Sequence, residues 1–329
     1  MCRRRGDKGV ILIALLWILT ALSVIALSFS REGFVEVSAA RNARALSDAY
    51  YIARAGLNTA IYQLLERRYT PRVQQLELEQ PPDPLDLGRV TAAFGDGTYE
   101  VEIQDEAGKI NLNFVSEEQL RALLQVIGIQ PPDSDIILDS IMDWRDVDNA
   151  HRPNGAEDDY YQSLPVPYKA KNNRMETVEE LLLVRGVTPA YYYGHPERAP
   201  DGSVIYKYGL ARCFTVYSTS NRINVNDAPL SVLMSVPGMP PEAARMIYER
   251  RQVKPFTNIE QINRDIGISL GPATQPYLMV EDTGVYTLTA IGRRGDSRVR
   301  RVIRAVVSLD SREAKRYKIF YWNENVPNI

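Results

Sequence analysis

The sequence predicts an α+β protein, with one long N-terminal helix packed on a small antiparallel sheet and a large all-α insert between the two halves of that sheet. Three observations point there. An uncharged, largely apolar run from Val10 to Phe29 continues into a second apolar pattern of helical period, with no proline before Pro71. Two strand–turn–strand patterns stand at opposite ends of the remaining chain. Between them a leucine–valine–glycine pattern occurs three times.

The first element opens with a short basic head, Arg3, Arg4, Arg5 and Lys8, which ends in Gly9. The run that follows is long enough to span a bilayer as a helix. A secretory signal peptide has a shorter apolar core and a small-residue cleavage site after it, and this segment fits neither feature. The span is therefore expected to stay with the protein, with the basic flank in the cytoplasm and everything after Arg31 on the far side. Beyond Phe29, the positions Leu46, Tyr50, Ala53, Leu57, Ala60, Ile61 and Leu64 recur at helical spacing, while Arg44, Asp48, Arg54, Asn58 and Glu66 fall on other faces. One spine from Val10 to Arg68 would be about 88 Å long at 1.5 Å per residue. Gly33 and Gly56 are its weak points, each costing about 1 kcal/mol against Ala. An anchor followed by a separate amphipathic helix is the plainer alternative, and the single spine is the preferred reading.

Pro71 to Gly88 is rich in proline, acid and glutamine and reads as a loop. Arg89 to Phe94 and Thr98 to Gln104 flank Gly95-Asp96-Gly97 and form the first hairpin. In its second strand Tyr99, Val101 and Ile103 alternate with Glu100, Glu102 and Gln104, so one face is buried. Val285 to Ile291 and Arg298 to Val307, around Gly292 to Asp296, form the second hairpin. Cys213 to Ser218 is a further strand candidate. The sheet is expected to pack on the C-terminal half of the long helix.

The repeat between the hairpins comprises Leu123, Val126, Gly128 and Ile129; Leu181, Val184, Gly186 and Val187; and Leu233, Val236, Gly238 and Met239. Each glycine reads as a helix C-terminal cap and each following aliphatic residue as the packing contact of a tight helical hairpin. Two copies share a lead-in, Ile110-Asn111-Leu112-Asn113 and Ile223-Asn224-Val225-Asn226. Internal duplication of small helical hairpins follows.

Composition narrows the function classes. A net charge of -2 with 24% charged residues gives no general attraction to nucleic acid or acidic lipid. Two cysteines, Cys2 and Cys213, make no internal disulfide framework. Leu233 to Arg251 looks like a helix-hairpin-helix, whose amides can hold DNA phosphate, and Arg245, Arg250, Arg251 and Lys254 cluster near it. The other two copies lack such charge, and phosphate binding needs several charges neutralised, so a packing hairpin is preferred and no nucleic-acid partner is expected. A membrane-tethered DNA-binding protein of a competence system is the alternative. Catalytic signatures are weak. There are two histidines, and no G-x-S-x-G elbow, H-E-x-x-H pair or phosphate-cradling glycine loop.

The densest polar feature is acidic. Asp143, Asp146, Asp148, Glu157, Asp158 and Asp159 fall within seventeen residues, on either side of a Pro153-Asn154-Gly155 turn. Folding that turn back would converge Asp143, Asp146 and Asp148 on Glu157 and Asp158. Hard oxygen donors at this density suit Ca²⁺. The spacing is not that of an EF-hand, and His151 is the one softer ligand nearby, which disfavours zinc. The competing readings are a solvated loop with its charges paired to Arg145, Arg152 and Lys169, and a pair of carboxylates for glycoside hydrolysis. A structural Ca²⁺ site is preferred.

These residues together resemble a known family. A basic leader ending at Gly9 before Val10-Ile11-Leu12-Ile13-Ala14-Leu15 resembles the type IV prepilin signal, with Ala14 where most such proteins carry Glu. That departure, the helical insert, the run from Asp143 to Tyr161, Thr177-Val178-Glu179-Glu180-Leu181 and Ile223-Asn224-Val225-Asn226 resemble the K-type minor pseudopilin of type II secretion. The resemblance implies cleavage between Gly9 and Val10 by a prepilin peptidase, N-methylation, and inner-membrane anchoring with the bulk of the chain periplasmic. It implies a pilin-like head with an insert of SAM-like hairpin units that holds calcium. It also implies a place at the tip of a short pseudopilus beside other minor pseudopilins, where secreted substrates or the outer-membrane secretin could be met, and no catalysis. The missing acid has a physical rationale. A subunit with nobody above it has no terminal amine to neutralise, and an unpaired charge in lipid is costly. The expected organisation is a leader (1–9), an assembly helix (10–30), an amphipathic helix and first hairpin (31–104), the insert with its acidic loop (105–282), and a closing hairpin with an aromatic tail (283–329).

Overall fold

Helix α1 runs unbroken from Asp7 to Tyr69, 63 residues, in a computed structural model that describes residues 7–69, 89–198, 204–218, 220–295, 299–310, 312–324 and 326. Arg3 to Arg5, the loop expected from Pro71 to Gly88, and Asp296 in the second hairpin's turn lie outside the described residues. The helix has two halves of different character. Large apolar side chains from Leu12 to Val37 are all more than half exposed, and the segment is long and apolar enough to cross a membrane. Further on, Ala49, Ile52, Ala53, Leu57, Ala60, Ile61 and Leu64 are buried, at the spacing of one helical face. Leu46, expected on that stripe, stays 37% exposed. It precedes Asp48, which meets Arg294 at the end of a sheet strand.

After α1 come β1 (Arg89–Phe94) and β2 (Gly97–Asp105), and a 3-10 turn at Glu106–Gly108 leads into the insert. The insert's first part holds β3 (Ile110–Asn111), α2 (Glu117–Val126), α3 (Asp133–Arg145), α4 (Asp158–Gln162), a 3-10 turn at Val178–Leu183 and α5 (Pro189–Tyr193). A connecting stretch carries β4 (Gly194–Arg198), β5 (Val204–Tyr208), α6 (Leu210–Cys213) and β6 (Phe214–Thr215). The second part holds β7 (Ile223–Asn224), α7 (Leu230–Met234), α8 (Pro241–Val253), α9 (Ile259–Ile266), a 3-10 turn at Gln275–Tyr277 and β8 (Leu278–Met279). The chain then returns as β9 (Val285–Arg294), β10 (Arg300–Ser308) and β11 (Lys318–Asn323).

The main sheet is antiparallel in the order β1-β2-β9-β10-β11, so its two halves come from opposite sides of the insert. Tyr99, Val101, Ile103, Tyr286, Leu288, Ala290, Ile303, Ala305 and Val307 form one core with the buried face of α1. Glycines allow this close approach. A Cβ on Gly292 would lie 2.1 Å from the Ala49 carbonyl oxygen, and one on Gly56 would lie 2.6 Å from the Tyr99 ring. The helix weak point at Gly56 is thus the seat of an aromatic ring. The tail supplies the final edge strand, β11.

The insert is mainly helical but not all-α. Its lead-ins form two-residue parallel ladders, β3 with β6 and β7 with β8, and β4 pairs antiparallel with β5. The strand candidate at Cys213 to Ser218 shortens to β6 and joins β3, not the main sheet.

The two parts of the insert repeat each other in detail. Asn111 Oδ1 accepts from the Asn113 amide and Asn224 Oδ1 from the Asn226 amide. The Asn113 side chain clamps both backbone groups of Met175, and that of Asn226 bonds to both backbone groups of Phe256. Arg145 donates to the carbonyls of Leu112 and Val115; Arg251 donates to those of Val225 and Ala228. All three repeat glycines have positive φ, 89° at Gly128, 86° at Gly186 and 69° at Gly238, a conformation glycine adopts without Cβ strain. Ile129, Val187 and Met239 behind them are buried. Val126 breaks the pattern at 38% exposed, whereas Val184 and Val236 are buried. The parts differ chiefly in one connection. Only residues 252–255 separate Arg251 from Phe256, while residues 146–174 separate Arg145 from Met175. The acidic loop lies in that extra length.

Candidate metal centre

Helix α3 ends at Arg145, and its last two turns place Asp139 and Asp143 on one face, four residues apart. Asp146 is the C-cap, already extended at φ -79° and ψ 174°, so its carboxylate turns back toward Asp143. The loop then reverses through Pro153-Asn154-Gly155, where the Gly155 amide donates to the Arg152 carbonyl at 3.1 Å. Asp139 holds the turn by accepting from the Asn154 amide and side chain, both at 3.0 Å. Gly155 is needed by contact and not by φ: a Cβ there would sit 1.8 Å from Asp143 Oδ2. The return brings Glu157, N-cap of α4, onto the same spot.

Carboxylate oxygens of Asp143, Asp146 and Glu157 lie within 4.8 Å of one another. Asp143 is 0% exposed and Glu157 1%. Four oxygens here are buried without a hydrogen-bond donor: Asp143 Oδ1, Asp146 Oδ1 and both oxygens of Glu157. Buried acceptors are normally satisfied. Burial raises the Asp143 carboxyl first of all, and burial followed by Asp148 raises that of Asp146. Glu157 is pushed up to about 7, by burial and then by the charges of Asp143 and Asp146. Among the described residues, the ion pair to this group comes from Arg152. Arg152 lies 3.7 Å from Asp143 Oδ1 and also pairs with Glu117 at 2.5 Å. Arg145, a candidate counter-ion in the sequence, instead spends its guanidinium on backbone carbonyls. Three all-oxygen side chains with four orphaned acceptors suit a hard divalent cation such as Ca²⁺, which would take its remaining ligands from carbonyls and water.

The other predicted ligands point elsewhere. Asp148 Oδ1 accepts from the Ala150 amide at 2.8 Å, and Asp158 Oδ1 accepts from the Ala170 amide at 2.8 Å. His151 pairs with Asp159 on the exposed side. Asp139 and Gly155 were missed as supports. The signal for Asp139 was its position four residues before Asp143. Beneath the loop, Trp144 packs edge-on to Tyr161 with ring centroids 5.1 Å apart, and Tyr161 stacks on Tyr168 at 5.2 Å. The tyrosines flanking the acids are thus packing residues. Arg185 closes the far side, donating to the Gly155 carbonyl at 2.9 Å and lying over the Tyr160 ring.

The hairpins offer poor phosphate cradles. Thr274 donates to the Pro237 carbonyl, and its Oγ1 would lie 3.0 Å from a Cβ on Gly238. Gly186 faces Ile136 and Ile137 in the same way. Arg250 pairs with Asp265, and Arg251 faces inward to carbonyls. At the other end of the molecule, the expected Gly9–Val10 cut falls in the first turn of α1, and Ala14 lies on its exposed apolar half.

A long helix whose exposed apolar half is long enough to cross a membrane, docked through its second half on an antiparallel sheet that carries a helical insert, defines a pilin-like architecture. Residues 104–194 match the family model described as type II secretion system protein K, and residues 218–270 match a helix-hairpin-helix motif. Over the first of these stretches the chain resembles the type II secretion system protein K family. It is 29% identical to the protein K of Aeromonas hydrophila over 58% of this chain and 62% of that relative. It is 24% identical to the protein K of Pseudomonas aeruginosa over 90% of this chain and 87% of that relative. The alignments with the Aeromonas and Pectobacterium carotovorum proteins cover about three fifths of those relatives, 62% and 60%. The fold resembles a chain in the crystal structure of the GspK-GspI-GspJ complex from enterotoxigenic Escherichia coli. The TM-score is 0.60 at 16% identity, covering 84% of this chain and 97% of that one.

Proposed function

We propose that this chain is a minor pseudopilin that initiates and caps the type II secretion pseudopilus, held in the inner membrane by α1 before assembly. The observation that carries this reading is the division of α1: one apolar half with no partner among the described residues, continuous with a half buried in the sheet. Such a helix can pack against the corresponding helices of neighbours, while the head and insert stay outside the bilayer. The fold's likeness to a member of the GspK-GspI-GspJ complex supports the other minor pseudopilins as partners. In this reading a prepilin peptidase cuts between Gly9 and Val10, and Ala14 leaves the tip without an unpaired acid. The SAM-like hairpins of the insert carry a structural Ca²⁺ on Asp143, Asp146 and Glu157, and no reaction is catalysed.

The test is co-purification in detergent with the I-type and J-type pseudopilins of the same organism. A stable complex containing one copy of each is expected. An uncomplexed chain in the presence of both partners would overturn the reading. The metal is tested separately with Tb³⁺ as a luminescent stand-in. Excitation of buried Trp144, next in sequence to Asp143, should sensitise Tb³⁺ emission that Ca²⁺ competes away and that Asp143→Asn abolishes.

A further inference from the structure

The chain crosses between head and insert twice, and the seam is lined with acids. It leaves the sheet at Asp105, the end of β2, and continues directly into Glu106. It returns past Glu281 and Asp282 into β9. The two crossings lie side by side, since Asp105 is the register partner of Tyr286. Asp227, from the second part of the insert, closes the group. Asp105 is 2% exposed and Asp227 is half-buried.

These two carboxyls share one donor group. Asn224 Nδ2 lies 3.1 Å from Asp105 Oδ2 and 2.9 Å from Asp227 Oδ2. The exit turn is pressed onto the insert at the same place: a Cβ on Gly108 would lie 2.8 Å from the Asp227 carbonyl carbon. Glu106 is already matched, by Lys109 at 2.5 Å and by the Thr287 hydroxyl at 2.6 Å. The other charges facing the pair are Arg251 on α8, Arg67 on α1, and Asp282, which is held by Arg68 of α1 at 2.8 Å. Tyr286 of β9 faces Asp282 and Asp105. Asp105 thus meets two further acids, while Arg251 divides its guanidinium between Asp227's field and two carbonyls.

We propose that this seam is a proton-operated hinge, in which protonation of the Asp105 and Asp227 carboxyls locks the insert onto the head and loss of those protons loosens the joint. The proposal rests on the fold, independently of the pseudopilin reading. Burial, and then the neighbouring acids, push Asp105 up to about 7; burial, with Arg251 opposing it, leaves Asp227 at about 6. Both folded values lie above the ordinary carboxylate range. The protonated seam therefore contributes stability that is whole below about pH 4 and is lost as pH rises through about 6 to 7.

The test uses the full chain in detergent micelles with saturating calcium, so that the acidic loop stays metal-bound. Cys2 and Cys213 are replaced by alanine, and spin labels are attached at Tyr62→Cys on α1 and Val253→Cys at the end of α8, positions 62% and 85% exposed. Pulsed EPR distances should form one narrow distribution at about pH 5.5 and broaden or shift at about pH 8. Asp227→Asn keeps an oxygen for Asn224 and removes one charge, so it should stay narrow at both. Asp105→Asn is the second variant, and its loss of pH response should match even if its stability falls. An unchanged wild-type distribution across pH would overturn the proposal. So would a wild-type response that persists in both variants.

Discussion

At the scale of single residues, the acidic loop makes opposite demands with and without metal. Replacing Asp143 by Asn removes one of three crowded carboxylates, two of them buried. Without metal this relieves repulsion, so the thermal midpoint measured in chelator should rise slightly over wild type. With calcium the order should reverse, since the variant forfeits the stabilisation a folded-state ligand supplies, about 2.7 kcal/mol at a hundredfold excess over Kd. A variant destabilised equally in both conditions would mark Asp143 as a packing residue only. Gly155→Ala gives an independent check. Its Cβ would collide with Asp143 Oδ2, so the calcium-dependent rise in midpoint should vanish although no ligand is removed. The sequence made the acid density and the reversing turn legible, and both meet at the site. Which carboxylates converge was not legible. Asp148 and Asp158 serve local backbone amides, and spacing alone does not reveal that competition.

At the scale of elements, α1 holds glycines in two environments that should respond in opposite directions. Gly33 has nothing within 4 Å of a would-be Cβ, so Gly33→Ala should stabilise the helix by about 1 kcal/mol. Gly56→Ala drives a methyl into the Tyr99 ring and should cost about 1–3 kcal/mol through overpacking. Urea unfolding of both variants checks the pair, and equal effects would contradict the packing described. The repeated arginine clamp gives a parallel forecast. Arg145→Met and Arg251→Met each strand two carbonyls, at about 1–3 kcal/mol per buried unsatisfied group, and each loss should fall on its own part of the insert by amide exchange. The duplication was legible because glycine caps and Asn-x-Asn lead-ins are local signals. The arginines were not, since Arg145 and Arg251 stand at different distances from the lead-ins they hold, and a sequence full of nearby acids suggests ion pairs first.

At the scale of the whole molecule, the seam sets a pH dependence that the calcium loop does not share under saturating metal. The midpoint of unfolding should fall from about pH 5.5 to about pH 8 in wild type, following the two seam carboxyls. The fall should be smaller in Asp227→Asn, and scanning calorimetry across pH would show this. A midpoint that instead rose through this range would mean that another group governs. The architecture itself was largely legible. A helix of continuous apolar period and two flanking hairpins were enough to place sheet, spine and insert. The two-residue ladders inside the insert were not, because a pair such as Ile110–Asn111 is too short to show any periodicity.

The register of β2 against β9 also constrains how the protein is made. Asp105 and Tyr286 pair although 181 positions apart, so the sheet cannot close until the whole insert and β9 have emerged. Pairings within the insert, by contrast, are shorter in sequence, 104 positions for Ile110 with Phe214 and 55 for Ile223 with Leu278, and shorter separations close faster. The insert is therefore expected to fold first and to bring its two ends together, shortening the loop that β2 and β9 must close. Until then the first hairpin waits with β2 unpaired along one edge, an open template for the wrong strand. The strands that complete the sheet also follow the insert in the chain, so a chain truncated before β9 would yield a finished insert on an unfinished head.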